Sequence, residues 1–434
     1  MGWVKMKLGD ILKNRDGRYK PNDPAILGLK RIDKINFSGQ IFLSDKASNT
    51  DMILIKKDDL VISGINVEKG ALVVYEEQED ILATIHYSSY IINIEKIDVD
   101  FLKVFLRSPD FVQLLKEQVP GGIKTEIKPK HILPLEVYFP DTTKEQKNIA
   151  THFFEKEAKL NKVNGLISRQ ISQIENLNKA ILQEVVQGKL VQQDPKDEPA
   201  SELLKRIKAE KVKSGKKEKT LPPINPEEIP FEIPENWVWS RLGEICSHIS
   251  DIDHSMPKAV KSGGVKFLSA KDLLDDGTIN FTKDIKYISE EDFTRLGRKI
   301  IPQRNDIIYS RIGAKLGKAR IVECDEKFIV SYSCCTIRTL NPNIQFLSFL
   351  LDSGFVLKQA TGQTTMNSIP DLGIQKIKEF MIPLPPLSEQ KRIVAEIEKQ
   401  LAKTKQLKEH ITANQQATEL LLKALLHQAF EAKE

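Results

Sequence analysis

The sequence has few cysteines and no long apolar segment. Only four cysteines occur in 434 residues, and two of them, Cys334 and Cys335, are adjacent. This spacing suits neither a disulfide framework nor a zinc site built from Cys-x-x-Cys pairs, so a reducing cytoplasm is the expected location. No apolar run reaches the roughly 18 residues that a membrane span requires. Residues 1–20 are too charged for a secretory signal.

Catalytic signatures are missing as well. The segment 313–318 has three residues between its glycines and is followed by Ala319, whereas a phosphate-binding loop has four and carries Ser or Thr after its lysine. Leu221-Pro-Pro-Ile224 lacks the polar and aromatic side chains with which an adenine methyltransferase holds a flipped base. A glycine-rich fingerprint for S-adenosylmethionine is not evident either. These absences predict a non-catalytic chain that binds no cofactor itself.

A metal site is not predicted. Asp251, Asp253 and His254 form a cluster of potential ligands, but the first half of the chain has no equivalent cluster. The ordinary polar content of a loop explains these residues, and the cysteines are interpreted as small core residues.

Positive charge is concentrated in one segment. The net charge is +5, and residues 205–219 alone hold eight basic residues against two acidic ones. Because the rest of the chain is nearly neutral, overall basicity is weak evidence for a nucleic-acid partner. The segment predicts either a solvated helix and loop or a non-specific contact with phosphates.

An internal duplication is the strongest feature of the sequence. Several motifs occur twice in the same order, with offsets of 234, 247 and 244 residues, and the small changes of offset are those expected from insertions in surface loops. The pairs are Trp-Val at 3–4 and 237–238, Leu-Gly-Asp/Glu-Ile at 8–11 and 242–245, Asp-Leu/Ile-Val/Ile-Ile/Tyr-Ser at 59–63 and 306–310, Gly70 and Gly317, and Glu-Gln-Lys at 145–147 and 389–391.

Each copy begins with a mixed domain and continues as a long helix. Short β-branched runs at 80–93 and 327–338, with helix candidates at 101–115 and 346–357, predict a compact α/β domain in each copy. The remainder carries apolar residues in steps of four and three, and it has no proline from 144 to 191 or from 389 to 434. Such a pattern predicts a coiled-coil helix of roughly 65–70 Å.

The two helices are each other's simplest partners, because a helix with one apolar seam needs a surface on which to bury it. An antiparallel pair would let the chain close on itself, with Gln170 and Asn414 at equivalent seam positions. The predicted pairing residues are Phe153, Leu160, Ile167, Ile174, Ile181, Ile397, Leu407, Ile411, Leu421 and Leu425.

The predicted fold class is therefore α/β (α+β), with two globular domains separated by a pair of long antiparallel coiled-coil helices in a pseudo-twofold repeat. A basic and proline-rich linker joins the copies. The predicted segments are the first domain at 1–143, the central helix at 144–191, the linker at 192–234, the second domain at 235–387 and the C-terminal helix at 388–434.

The repeat also decides how to interpret a nuclease-like motif. Pro140-Asp141 followed by Glu-Gln-Lys at 145–147 resembles the signature of metal-dependent nucleases. Those sites need carboxylates from separate strands around Mg²⁺, whereas here the spacing is short and Pro385 stands where the second copy would need Asp141. We interpret the motif as a helix start, with Thr142 and Glu145 as a capping box.

Two stretches carry a resemblance to a known family. They are the proline-rich segment 221–239, which leads into Arg-Leu-Gly-Glu-Ile at 241–245, and Pro-Pro-Leu-Ser-Glu-Gln-Lys-Arg-Ile at 385–393. Together with the repeat, they resemble the DNA specificity subunits of type I restriction–modification systems over essentially the whole chain. Asp-Thr-Thr-Lys at 141–144 departs from the Pro-Pro-Leu that usually precedes Glu-Gln, which affects how the first helix starts.

The resemblance implies a role for each part of the chain. The mixed domains would be target recognition domains, each of which reads one half of a split double-stranded DNA sequence. The helices would set the spacer and dock two methyltransferase (M) subunits, and restriction/translocase (R) subunits would complete the complex. S-adenosylmethionine, ATP and Mg²⁺ would bind to those partners. Half-sites about 10 bp apart would place both domains on one side of the duplex.

The candidates for DNA contact are polar residues in glycine-containing loops, because Arg, Lys, Asn, Gln and hydroxyl side chains read base edges. A solvated loop is the alternative interpretation of each. The predicted residues are Asn66, Lys69, Lys124 and Thr125 in the first domain, and Arg311, Lys315, Gln363, Thr364, Thr365 and Asn367 in the second.

Overall fold

The structure is a computed structural model that describes residues 2–46, 48–118, 126–213, 220–261, 263–362 and 371–430. It divides into two compact units. Unit 1 extends to Gln170 and resumes at His410, and unit 2 is Ile171–Glu409. Each unit contains one mixed domain and parts of both long helices. None of the described helices is long and apolar enough to cross a membrane.

The first domain contains ten strands and three short α-helices in its described residues, and a helix of 44 residues follows it. Its elements are β1 Trp3–Lys7, β2 Leu12–Asn14, β3 Arg31–Ile35, β4 Ile41–Ser44, β5 Met52–Ile55, β6 Leu60–Ser63, β7 Leu72–Val74, β8 Ile81–Thr84, β9 Tyr87–Ile92, α1 Val99–Leu106, α2 Pro109–Gln118, α3 Pro129–Ile132, β10 Glu136–Pro140 and the long helix α4 Thr143–Val186.

The second domain repeats this order. A linker helix precedes it, and a second helix of 44 residues follows it. Its elements are α5 Ala200–Lys213, β11 Val238–Arg241, β12 Cys246–Ser250, β13 Val265–Leu268, β14 Lys286–Ile288, α6 Glu290–Leu296, β15 Ile307–Ser310, β16 Ala319–Ile321, β17 Phe328–Val330, β18 Cys334–Thr339, α7 Ile344–Leu351, α8 Gly354–Gly362, α9 Ile374–Lys378, β19 Met381–Leu384 and the long helix α10 Leu387–Phe430.

Strand pairing shows that the two domains share one topology. The first has a four-stranded sheet of order β2-β9-β6-β7, and the second has the equivalent order β12-β18-β15-β16. A second sheet, β4-β3-β8-β5, corresponds to β14-β13-β17, so β5 is an addition of the first domain. The central strands β6 and β15 are buried along their whole length. Their nearly continuous apolar sequence is that of a strand covered on both faces.

Each domain is closed by its first and last strands. Strand β1 pairs antiparallel with β10, and Trp3 lies opposite Pro140. Strand β11 pairs in the same way with β19. The chain therefore enters and leaves each domain at one place, directly before a long helix begins.

The single helix that was predicted at 101–115 is two helices. Asp98 caps α1 by accepting a hydrogen bond from the Phe101 amide at 2.8 Å. The buried Ser108 hydroxyl donates to the Phe105 carbonyl at 2.7 Å and accepts from the Phe111 amide at 3.2 Å. A proline at the first position of α2 completes the break. Ser353 makes the same pair of bonds between α7 and α8.

The long helices run antiparallel to each other in both units. In unit 2, Ile181 near the end of α4 belongs to the same core as Ile393 and Ile397 at the start of α10. In unit 1, Phe153 near the start of α4 packs in one core with Leu426 near the end of α10. Helix α4 passes without interruption through Asn164-Gly165, where a bend was expected.

Burial along the helices corrects the predicted seam at three positions of each helix. Of the predicted pairing residues, Leu160 and Leu425 are half-buried, and the following are buried: Phe153, Ile167, Ile174, Ile181, Ile397 and Ile411. However, Leu407 and Leu421 are 50% and 49% exposed and lie outside the seam. The inward positions follow one residue later on both helices, as at Asn178 and Leu422. Gln170 and Asn414 are likewise exposed, so they form no buried polar pair.

Candidate nucleic-acid interface

A buried aspartate shapes the start of the central strand in each domain. Asp59 accepts a hydrogen bond from the Lys56 amide at 3.0 Å, and Asp306 accepts one from the Gln303 amide at 2.9 Å. Each carboxylate also receives an arginine. Arg15 binds Asp59 through two nitrogens, and Arg338 binds Asp306 in the same bidentate manner. This explains why the motif at 59–63 recurs at 306–310. In each copy its aspartate closes the turn before the central strand, and an arginine neutralises the carboxylate.

The central strands lead into the turns that carry four of the predicted DNA-binding residues. Asn66 and Lys69 lie in the β6–β7 turn, and Arg311 and Lys315 lie in the β15–β16 turn. Both turns end on a glycine in the left-handed conformation, Gly70 with φ 89° and Gly317 with φ 93°. A side chain at Gly70 would also meet the Phe37 carbonyl oxygen at 2.7 Å, which accounts for glycine at this position.

In the first domain the turn presents its polar groups to solvent. Lys69 is exposed, and its ammonium lies 5.7 Å from the centre of the Phe37 ring, which suits a cation–π contact. Asn66 is half-buried, and its backbone carbonyl accepts from the amides of Lys69 and Ala71. In the second domain Lys315 is half-buried, and its ammonium donates to the Lys271 carbonyl at 3.3 Å. The predicted contacts at these three residues stay predictions.

The other predicted loop residues lie outside the described part of the chain. They are Lys124, Thr125, Gln363, Thr364, Thr365 and Asn367. The residues that follow them are described, and they pair with the central strand of their domain. The Ile127 amide donates to the Gly64 carbonyl at 2.7 Å, and the Leu372 amide donates to the Arg311 carbonyl at 3.0 Å. The chain therefore returns beside the strand–turn unit in both domains.

Electrostatic contacts differ at these return points. In the first domain His86 lies 3.0 Å from Glu126 and Lys128 lies 3.4 Å from it. The hydrogen bond from His86 is the main reason that the pKa of Glu126 lies below its ordinary value. In the second domain the return point carries Asp371, which binds Arg311 at 2.6 Å.

Arg311, which was predicted to contact DNA from its turn, is buried in the second domain. Its side chain is 3% exposed. One terminal nitrogen donates to Asp371 at 2.6 Å and to the Leu372 carbonyl at 3.0 Å. The other lies 2.7 Å from Asp251 and 2.9 Å from His254 Nε2. These bonds join three segments of the second domain, and a direct base contact would require some of them to break.

The cluster of Asp251, Asp253 and His254 is accounted for by ion pairs and stacking. Asp251 binds Arg311, Asp253 binds Lys299 at 2.7 Å, and the His254 ring stacks on Tyr332 with centroids 4.8 Å apart. Among the described residues no group of three or more His, Cys, Asp or Glu side chains is arranged to hold a metal ion.

The cysteines are free thiols, and three of the four are buried. Burial raises the pKa of Cys334 to about 12. It also raises the pKa of Cys335 well above its ordinary value. A thiol held in its protonated form is a poor nucleophile and a poor metal ligand. These two residues therefore serve as small core side chains.

Comparison with known proteins bears on the second half of the chain most directly. Residues 234–415 match the family model described as Type I restriction modification DNA specificity domain. This part of the chain is therefore similar to type I restriction modification DNA specificity domains. The chain is 34% identical over 246 residues to the EcoAI specificity subunit of a type I restriction enzyme from Escherichia coli, which covers 54% of this chain and 41% of the relative. It is 32% identical over 269 residues to the EcoEI specificity subunit from Escherichia coli, which covers 58% and 44%.

These matches therefore extend over less than half the length of either curated member of the specificity family. A solved structure that concerns complex assembly and conformational transition of the type I R-M system contains a similar chain, with a TM-score of 0.69, 17% identity, and coverage of 99% of this chain and 98% of the other. At this identity the likeness shows the fold, and it confirms the predicted fold class.

In both copies the Glu-Gln-Lys motif holds a buried glutamine that the sequence did not single out. Gln390 bridges the Pro385 carbonyl at 3.0 Å and the Asn341 amide group at 3.0 Å. Gln146 bridges the Pro140 carbonyl and the Asp98 amide in the same way. The glutamine thus joins the start of each long helix to its domain. The nuclease interpretation is not needed.

The glutamate of the same motif has a structural partner in the second copy. The Trp237 indole nitrogen donates to Glu389 at 2.9 Å, and Gln193 donates to it at 2.7 Å. Burial raises the pKa of Glu389 above its ordinary value, and the two hydrogen bonds offset part of this effect. A signal for this contact was present in the sequence, because Trp237 and Glu389 both belong to repeated motifs.

Proposed function

We propose that this chain is the sequence-reading subunit of a type I restriction–modification complex. Each mixed domain binds one half of a bipartite DNA target, and the chain directs methylation and restriction by partner subunits. The observation that carries the proposal is the duplicated strand–turn unit, since a glycine-ended turn and a returning loop meet beside one central strand in both domains. Two similar readers suit two half-sites.

Divergence between the two domains supports an asymmetric target. Gly64 and Arg311 occupy equivalent places, because each carbonyl accepts the amide of the returning chain. Gly64 has no side chain, whereas Arg311 binds two carboxylates. The loops beside these two residues are therefore held by different contacts. The two half-sites should therefore differ in sequence.

Partner subunits are proposed to dock on the long helices and to carry the catalytic chemistry. Six large apolar side chains on the described parts of these helices are 43–65% exposed and so would be available to a partner. They are Val163, Leu166, Leu177, Leu407, Leu420 and Leu421. Two methyltransferase subunits and the restriction/translocase subunits would bind S-adenosylmethionine, ATP and Mg²⁺, and this chain would be non-catalytic.

Methylome sequencing tests the proposal. Cells would express the chain with its cognate methyltransferase subunit, and cells with the methyltransferase alone would be the control. The expected result is a modified motif in two parts that appears only when the chain is present. A complex that assembles but modifies no bipartite motif would refute the proposal.

A matched pair of variants assigns each half of the motif to a domain. Lys69→Ala changes the turn of the first domain, and Lys315→Ala changes the turn of the second. Each should relax one half of the motif and leave the other intact, because a lost base or phosphate contact acts locally. Relaxation of both halves by either variant would contradict the assignment of one half-site to each domain.

A further inference from the structure

The first domain has an open apolar groove of about 1090 Å³. We define the groove by the residues Phe37, Leu43, Val73, Lys103, Arg107 and Phe154. The β3–β4 hairpin forms one wall, β7 forms the floor, and α1 with α4 forms the other wall. Phe37 is 60% exposed and Leu43 is 45% exposed, although both are large apolar side chains. Exposed apolar surface of this kind marks a site for a partner more often than a solvated face.

The second domain fills the equivalent space with its own chain. Strands β3 and β4 are joined by the five residues 36–40, whereas β13 and β14 are joined by the 17 residues 269–285. This longer segment buries Leu273, and it places Phe281 against the Phe328 ring with centroids 5.1 Å apart. The segment therefore belongs to the core of the second domain.

Polar contacts fix the position of this covering segment. The Arg320 guanidinium donates to the Leu274 carbonyl at 2.7 Å and binds Asp352 at 2.6 Å. The next residue, Asp275, binds Lys318. Because Arg320 lies on β16 and Lys318 directly precedes that strand, the turn at 274–275 is held against β16, and Arg320 links it to Asp352 at the end of α7.

The same two positions line the groove of the first domain. The strand pairing makes Val73 on β7 equivalent to Arg320 on β16, and Arg107 at the end of α1 is equivalent to Asp352. A polypeptide turn that covers one surface is thus present in one copy and missing from the other. A polypeptide of the same kind is the natural occupant of the open groove.

The chemistry of the groove favours a protein segment over nucleic acid. Its walls are mainly apolar, and Lys69, Glu76, Glu77, Lys103 and Arg107 are the charged residues of its lining. Two of these cations are already neutralised by the protein, because Lys103 binds Glu76 and Arg107 binds Glu157. An apolar surface whose charges are partly paired suits a polypeptide better than a phosphate backbone.

We propose that this groove receives an apolar turn of a methyltransferase subunit. The inference rests on the proposed function, which places such subunits beside the chain. Because the second domain covers the same surface itself, only one of two bound subunits uses a groove of this kind. The two subunits are therefore held with unequal strength.

Native mass spectrometry of the assembled complex tests this asymmetry. The test variant is Phe37→Glu with Leu43→Glu, and the control is Leu27→Glu with Ile94→Glu, which adds the same charge at exposed apolar sites of the first domain outside the groove. The wild-type chain and the control should bind two methyltransferase subunits. The test variant should bind one subunit normally and the second at least about tenfold more weakly.

Hydrogen–deuterium exchange provides a second readout that needs no substitution. Residues 36–44 of the wild-type chain should become protected when the methyltransferase subunit is added. Protection by DNA alone, or two subunits bound equally well by the test variant, would overturn the groove proposal. Failure of the wild-type chain to bind any methyltransferase subunit would instead refute the proposed function, so the two failures are distinguishable.

Discussion

The Arg311→Ala substitution removes a guanidinium that lies inside the second domain. Its effect on stability depends on the carboxylates that lose this partner. Asp251 is 12% exposed and loses its cationic partner, whereas Asp371 is 53% exposed and regains water. A charge-assisted hydrogen bond to a buried carboxylate is worth about 2–3 kcal/mol, and an exposed ion pair is worth less than about 1 kcal/mol. We expect a loss of about 3 kcal/mol in the free energy of unfolding.

This loss should be visible as a change in melting temperature and in DNA specificity. For a unit of this size, about 3 kcal/mol corresponds to a decrease of roughly 6–12 °C. DNA binding should weaken, and methylome sequencing should show a relaxed half-site for the second domain with the other half unchanged. Arg311→Lys keeps one ion pair and should lose about half as much stability.

Three outcomes would refute this reasoning about Arg311. An unchanged melting temperature would show that the ion pairs contribute no stability. A lower melting temperature with an unchanged methylation motif would show that the residue stabilises the domain without positioning its reading loops. Equal relaxation of both half-sites would show that the effect is a general loss of folded protein.

Three further predictions concern the helices and their attachment. Gln390→Ala and Gln146→Ala should each reduce the free energy of unfolding by about 2 kcal/mol in urea titrations, because buried backbone groups lose their partner. Glu389→Gln should become more stable relative to the wild type as the pH rises from 4.5 to 7.5. Because the pKa of the Glu389 carboxyl is raised, its protonated form stabilises the wild-type protein at low pH, and this stabilisation is lost as the carboxyl ionises. Equal melting temperatures of the two proteins at both pH values would contradict this. Leu407→Lys should change the free energy of unfolding by less than about 0.5 kcal/mol, whereas Ile411→Lys should lower it by about 3 kcal/mol. A similar loss for both variants would favour the seam predicted from the sequence.

Much of the fold was predictable because the duplication provided two independent samples of one pattern. The long helices, their antiparallel pairing and the mixed domains followed from motif order and apolar spacing. The exact seam did not follow, because both Val163 and the inward-facing Asn164 satisfy a step of three or four residues. Only the packing between the two helices decides which of two adjacent residues faces the partner helix.

The candidate site was less predictable for a different physical reason. Residue type and loop position correctly placed Lys69 at an exposed turn, but they could not reveal that two carboxylates from distant segments surround Arg311. Such partners lie about 60 residues away in the sequence. Burial of a charged side chain is a property of tertiary contacts and has no local signature.

The pairing of first and last strands has a consequence for how such a chain changes. Since β1 lies against β10 and β11 lies against β19, each domain meets the rest of the chain at two adjoining points. An exchange of genetic segments at those two points would replace a whole domain, and the contacts of Gln146 or Gln390 would have to be matched at a single joint. A domain can then be exchanged as a unit, without gradual change of the helices that hold it.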